Sequence, residues 1–144
     1  AGKVTMERTT VFGEVEVEWL YASEVLITGL TTVVNTQEGC FRFSAVLERR
    51  DPFDSTSTHS RVPHPYESYF VRQFNATFTS RTFGQPGYAQ LAESAPEFLK
   101  RGAENTSEIG AFSSLKNPIL FDSLRAKVEE FAPFGLLPVY IFET

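Results

Sequence analysis

Residues 4–35 read VTMERTTVFGEVEVEWLYASEVLITGLTTVVN, and this stretch decides the fold class. Within it, Val15, Val17 and Trp19 alternate with three glutamates. An alternation of period two is typical of a strand with one buried face and one solvated face. The pattern therefore predicts an amphipathic antiparallel strand whose glutamates lie in solvent.

The segments on either side of this strand also read as strands. Residues 4–12 are rich in Thr and Val and predict its hairpin partner, with Gly13 in the turn or in a bulge. Residues 24–35 are apolar and β-branched, and residues 41–48 alternate again. The first third of the chain is therefore predicted to form consecutive strands, and no internal repeat is detected in it.

The remaining chain changes pattern several times. Residues 51–67 contain three prolines and a Ser/Thr run, which predict a long irregular loop. Residues 69–83 alternate and predict the longest strand, and residues 88–99 have the three- and four-residue spacing of a helical face. Asn117-Pro118 predicts the start of a stronger helix, and residues 136–142 predict a last, interior strand.

These elements predict one β-rich α+β domain over residues 1–144. Its core would be a mostly antiparallel twisted sheet or a partly closed β-barrel, with about two helices packed on one face or end. A length of 144 residues suits one domain of ordinary size.

Composition excludes several function classes. The formal charge is −5 and no basic stripe is present, so nucleic-acid binding is not expected. No apolar run approaches the roughly 20 residues that span a bilayer, so membrane insertion is not expected. The chain is predicted to be soluble, either cytoplasmic or a component of a particle or a secretion. Cys40 is the only cysteine, so no intramolecular disulfide can form.

Residues 51–67 also hold the best candidates for polar chemistry. Carboxylates, imidazoles and a guanidinium occur close together there, and the candidate residues are Asp54, His59, Arg61 and His64. The histidines are five residues apart, which is no regular spacing for a metal site. A polar surface loop is therefore the favoured interpretation, and no catalytic residue, metal ligand or cofactor is predicted. Phosphate-binding, dinucleotide-binding and nucleophile-elbow motifs are absent.

Phenylalanine is unusually frequent, with 14 residues against one Met and one Trp. About half of these residues fall on regular inward positions of predicted elements. The others lie near turns and ends, where a small domain has difficulty covering them. A partner subunit would cover such side chains, and the predicted interface residues are Phe12, Phe53, Phe83, Phe112 and Phe134.

The sequence therefore favours a non-enzymatic structural module that self-assembles or docks with partner subunits. Its order of elements is loosely similar to small barrel-plus-helix subunits of phage tails, which suggests a virion or other particle component. Two alternatives remain: a domain that binds a small apolar ligand between aromatic rings, and a small enzyme that uses the loop of His59 and His64.

Overall fold

Ten short strands build the body of the chain in the computed structural model, which describes residues 2–75 and 77–141. Every pairing between these strands is parallel. The strands are β1 Lys3–Glu7, β2 Thr10–Val11, β3 Val15–Val17, β4 Trp19–Ser23, β5 Leu26–Ile27, β6 Thr31–Val33, β7 Cys40–Arg42, β8 Ala45–Leu47, β9 Pro65–Tyr66 and β10 Tyr69–Val71.

Consecutive strands belong to different sheets. Sheet A contains β1, β4, β7 and β9, sheet B contains β2, β5, β8 and β10, and sheet C contains β3 and β6. A parallel bridge between Thr32 and Arg61 extends sheet C by one position. The chain therefore visits the three sheets in turn and winds as a three-sided parallel β-helix, in which β1 to β3 form the first coil and β4 to β6 the second.

The predicted antiparallel sheet or barrel is therefore wrong. Trp19 lies opposite Lys3, Leu26 opposite Thr10 and Thr31 opposite Val15, so the same offset of 16 residues holds in all three sheets. An alternating pattern reports which side chains are buried and carries no information on strand direction. The predicted hairpin at Gly13 is replaced by a corner, after which the chain enters sheet C instead of reversing.

A left-handed residue turns the chain from sheet A to sheet B in every coil. These residues are Arg8, Glu24, Phe43 and Glu67, with φ between 44° and 56°. Backbone amides stack along this corner: the N–H of Arg8 donates to the Ser23 carbonyl, and the N–H of Glu24 donates to the Arg42 carbonyl. Such stacking satisfies the corner amides, and this offsets the strain of a left-handed residue with a side chain.

Two separate hydrophobic cores hold the fold together. The first fills the inside of the β-helix and includes Leu20, Ile27 and Phe41, all fully buried. The second lies on the outer face of sheet B, where residues 74–109 cover Leu26 and Ala45. Both faces of sheet B are therefore covered, which explains why its strands carry apolar residues at consecutive positions.

The segment predicted as a loop over residues 51–67 is shorter as an irregular excursion. His59 forms an antiparallel bridge with Arg49, and Arg61 joins sheet C. Pro65 begins β9, which lies at the edge of sheet A. Proline is tolerated there because an edge strand needs no N–H bond on its open side.

Three helices follow the β-helix among the described residues: α1 Glu97–Arg101, a 3-10 turn at Ser113–Leu115 and α2 Asn117–Phe131. The start of the strong helix at Asn117-Pro118 is confirmed. The longer helical face predicted over residues 88–99 is wrong, because only its last three residues are helical. None of these helices is long and apolar enough to cross a membrane within the described part of the chain.

Two predicted strands are not formed as expected. In the segment 69–83, only β10 is a strand, although Phe74 and Phe78 are buried in the second core. In the segment 136–142, the described residues up to 141 contain no strand, and residue 142 lies outside the described range. Leu137, Val139 and Ile141 are between 84% and 91% exposed, so this segment does not lie in a sheet interior.

Candidate functional site: the groove and the apolar surface of α2

A groove of about 1000 Å³ separates α2 from the second core. Leu120, Phe121 and Leu124 line it from the α2 side, and Phe78 and Leu91 line it from the other. A groove of this volume is at the upper end of the range for small-molecule sites. α2 has no buried residue, so it stands beside the body of the protein instead of packing on it.

Ion pairs, and not apolar contacts, hold α2 across the groove. Arg101 pairs with Asp122, and the guanidinium of Arg125 lies 3.6 Å from the carboxylate of Glu93. Arg125 also covers the ring of Phe121 at 4.6 Å. All four charged side chains are about half exposed, so each pair contributes at most about 1 kcal/mol.

Glu108 is the one residue of the groove whose ionisation is shifted into the neutral range. It is 3% exposed, and this burial raises its pKa from 4.5 to about 7. A hydrogen bond with the side chain of Asn117 opposes the shift in part. Asn117 was expected to cap α2, but it is the first helical residue, and Lys116 occupies the cap position without a side-chain bond.

A continuous set of exposed apolar side chains covers α2 and the segment after it. We call it the C-terminal apolar surface, and it consists of Leu120, Leu124, Phe131, Phe134, Leu136, Leu137, Val139 and Ile141. Each of these residues is at least 50% exposed. Residues 131–141 contain no charged side chain. This surface combines high exposure with the absence of charge, as docking surfaces do.

The structure gives the five predicted interface phenylalanines different surroundings. Phe12 packs edge-on against Phe78 at 4.9 Å and Phe112 is half-buried. Phe53, Phe83 and Phe134 are 93%, 86% and 107% exposed. Only Phe134 belongs to the C-terminal apolar surface, while Phe53 and Phe83 lie singly in loops.

The four loop candidates for polar chemistry do not form a common site. Asp54 accepts hydrogen bonds from the amide and hydroxyl of Thr56, which lower the pKa of its carboxyl. His64 Nε2 lies 3.0 Å from the carbonyl oxygen of Gln37. His59 and Arg61 are exposed and take part in the two bridges described above. Within residues 2–75 and 77–141, no hydrogen bond or ion pair joins any two of these candidates.

Metal binding finds no support in the described part of the chain, because no three His, Cys, Asp or Glu side chains there are close enough to hold an ion. Cys40 is a free, half-buried thiol in β7.

Sequence reasoning missed Glu108 and misread α2. Glu108 lies in a small, polar stretch that reads as a loop, and no local pattern shows that its carboxyl is buried. The stripe of Leu120, Leu124 and Phe131 was visible, but a stripe does not reveal whether it faces its own core or a partner.

Three comparisons, with protein-family models, with curated proteins and with solved structures, found no match to this chain, so its function has to be argued from its own residues.

Proposed function

We propose that this chain is a non-enzymatic assembly module that self-associates through the C-terminal apolar surface. The observation that carries this proposal is the exposure of that surface, where Phe131 is 79% and Phe134 fully exposed. A buried aromatic side chain removes about 150–250 Å² from water. These two rings alone therefore offer about 300–500 Å², near the size of the largest apolar patch on a typical monomer.

The state of α2 supports the same conclusion. An isolated helix of 15 residues is marginal in water, and most helices gain stability by packing an apolar face. In this chain only half-exposed ion pairs hold α2, which stabilise it weakly. A second copy seated on Leu120, Leu124 and Phe131 would supply the missing apolar contacts. With the following segment, the surface reaches the scale of about 800 Å² per partner seen in stable interfaces.

The experiment is a measurement of mass by light scattering over a range of protein concentrations. We expect the mass to exceed the 16.2 kDa of one chain as concentration rises. The double variant Phe131→Ser/Phe134→Ser should remain monomeric. Phe53→Ser/Phe83→Ser is the matched control, because it removes two equally exposed rings from elsewhere, and it should assemble like the unchanged protein.

Two results would overturn the proposal. One is a monomeric protein at every concentration. The other is an equal loss of assembly in both double variants, which would assign the contact to exposed rings in general. The broader expectation of a virus- or phage-particle component stays a prediction, and this experiment bears only on the assembly step.

The groove favours a second candidate function, the binding of a small apolar ligand. Its walls carry Phe78, Leu91 and Leu124, and Glu108 supplies one polar group that is protonated up to neutral pH. Such a carboxyl can donate a hydrogen bond to a carbonyl or amide oxygen of the ligand. Native mass spectrometry of the purified protein tests this idea. A bound small molecule that is lost in Leu91→Asp would support it, and a ligand-free spectrum would count against it.

A further inference from the structure

The first coil ends the β-helix with three open strand edges. Within residues 2–75 and 77–141, β1, β2 and β3 each pair with a strand of the second coil and with no strand on their other side. The backbone N–H and C=O groups on the open side therefore have no sheet partner in that part of the chain. Exposed strand edges of this kind pair readily with other strands unless prolines, bulges or a cover protect them.

The hydrophobic interior is open at the same end. Val4, Met6 and Val11 point inward and are only half-buried. Their counterparts one coil further on, Leu20, Ala22 and Ile27, are fully buried. The apolar columns therefore reach the open end without a layer above them.

The three edges also lie level with one another. All three sheets share the 16-residue offset between the first two coils, so β1, β2 and β3 end the prism together. The exposed glutamates Glu14, Glu16 and Glu18 belong to the outward positions of sheet C, as their alternation with the buried Val15 and Val17 shows. They border the open end without covering it.

From these observations we propose that the first coil is a docking end for the terminal coil of another parallel β-helical chain. The partner must present three strands that run parallel to β1, β2 and β3, with apolar side chains at inward positions. It should carry Lys or Arg at the outward position above Glu16, since opposite charges in neighbouring strands attract. This inference does not depend on the proposed function, because it concerns the other end of the chain.

A second copy docked first coil to first coil does not fit this end. A two-fold axis across the prism would pair the strands antiparallel and would lay sheet B of one copy against sheet C of the other. These sheets differ in strand length, with two residues in β2 and three in β3. Only a coil that winds in the same direction matches all three edges at once.

The test supplies such a coil covalently. Residues 3–18 are duplicated directly before Lys3 of the full chain, and Glu16→Lys is made in the added copy so that the outward charges attract. The control carries the same insertion with Val4→Asp and Val15→Asp in the added copy, which places charges at inward positions. Hydrogen exchange of the amides of β1 and β3 and the melting temperature are measured in both proteins and in the unextended chain.

We expect the matching coil to slow exchange of the open-side amides of β1 and β3 by at least about tenfold and to raise the melting temperature by roughly 3 °C or more. The control should behave like the unextended chain. The inference is overturned if both insertions give the same exchange and melting temperature, or if the chain with the matching coil fails to fold while the control folds.

Discussion

The Nε of Arg8 lies 2.8 Å from Oε2 of Glu24, its neighbour one coil further along the same corner. Glu24 is 4% exposed and also accepts hydrogen bonds from the hydroxyl of Ser113 and the amide of Glu104. One buried carboxylate therefore joins two coils of the β-helix to the segment that covers sheet B. This arrangement fixes the second core against the first.

Replacing this carboxylate should cost more than replacing its cationic partner. Glu24→Ala leaves the donors of Ser113 and Glu104 unpaired, so we expect a loss of about 2–3 kcal/mol in the free energy of unfolding. Arg8→Ala removes a side chain that is 57% exposed and should cost about 1 kcal/mol or less. Urea unfolding of both variants measures the difference, and equal losses would contradict the role assigned to Glu24.

Gly29 should tolerate no larger residue, for a purely steric reason. A Cβ at Gly29 would lie 2.3 Å from the carbonyl carbon of Gly13, one coil away, and neither backbone can yield without shifting a coil. Gly29→Ala is therefore expected to destabilise the protein by about 1–3 kcal/mol. Gly2→Ala is the matched control, because a Cβ there meets nothing within 4 Å. A stable Gly29→Ala protein would show that the two coils are not stacked at this corner.

Ser44 should stabilise the inside of the left-handed corner. It is fully buried, its hydroxyl accepts a hydrogen bond from the amide of Val25, and it donates one to the carbonyl of Arg42. Ser44→Ala leaves that buried amide unpaired and should cost about 1–3 kcal/mol. Ser123→Ala removes an exposed hydroxyl that bonds within α2 and should change stability by less than about 0.5 kcal/mol. Thermal unfolding of the two variants separates these expectations.

Glu108 should make stability depend on pH. Its pKa is raised from 4.5 to about 7, so between these values the folded protein holds a proton that the unfolded chain releases. Stability from this group is therefore fully present below pH 4.5 and falls as pH rises toward 7, by about 3 kcal/mol in total. Glu108→Gln should remove this fall. The measurement is the free energy of unfolding of both proteins at pH 4.5, 6 and 7.5, and parallel curves would contradict the prediction.

Part of the fold was accessible from local pattern. The alternation around Val15 and Val17 correctly predicted which side chains are buried and that the neighbouring glutamates lie in solvent. Asn117-Pro118 correctly predicted the start of α2. The 16-residue repeat was also present, with Gly13 and Gly29 at equivalent corners, but its other positions agree only in apolar character. That weak similarity explains why no repeat was detected.

The sequence by itself determined the burial of strand residues, the start of α2 and the acidic, aromatic-rich composition, because these depend on side-chain chemistry and on the backbone geometry of a few neighbouring residues. Only the tertiary structure decided that the strands are parallel, that Glu24 and Glu108 are buried and that the α2 stripe faces outward. Strand direction and burial of a lone carboxyl depend on which distant segments meet. Arg8 and Glu24 meet because a whole coil separates them, and no window of a few residues contains that contact.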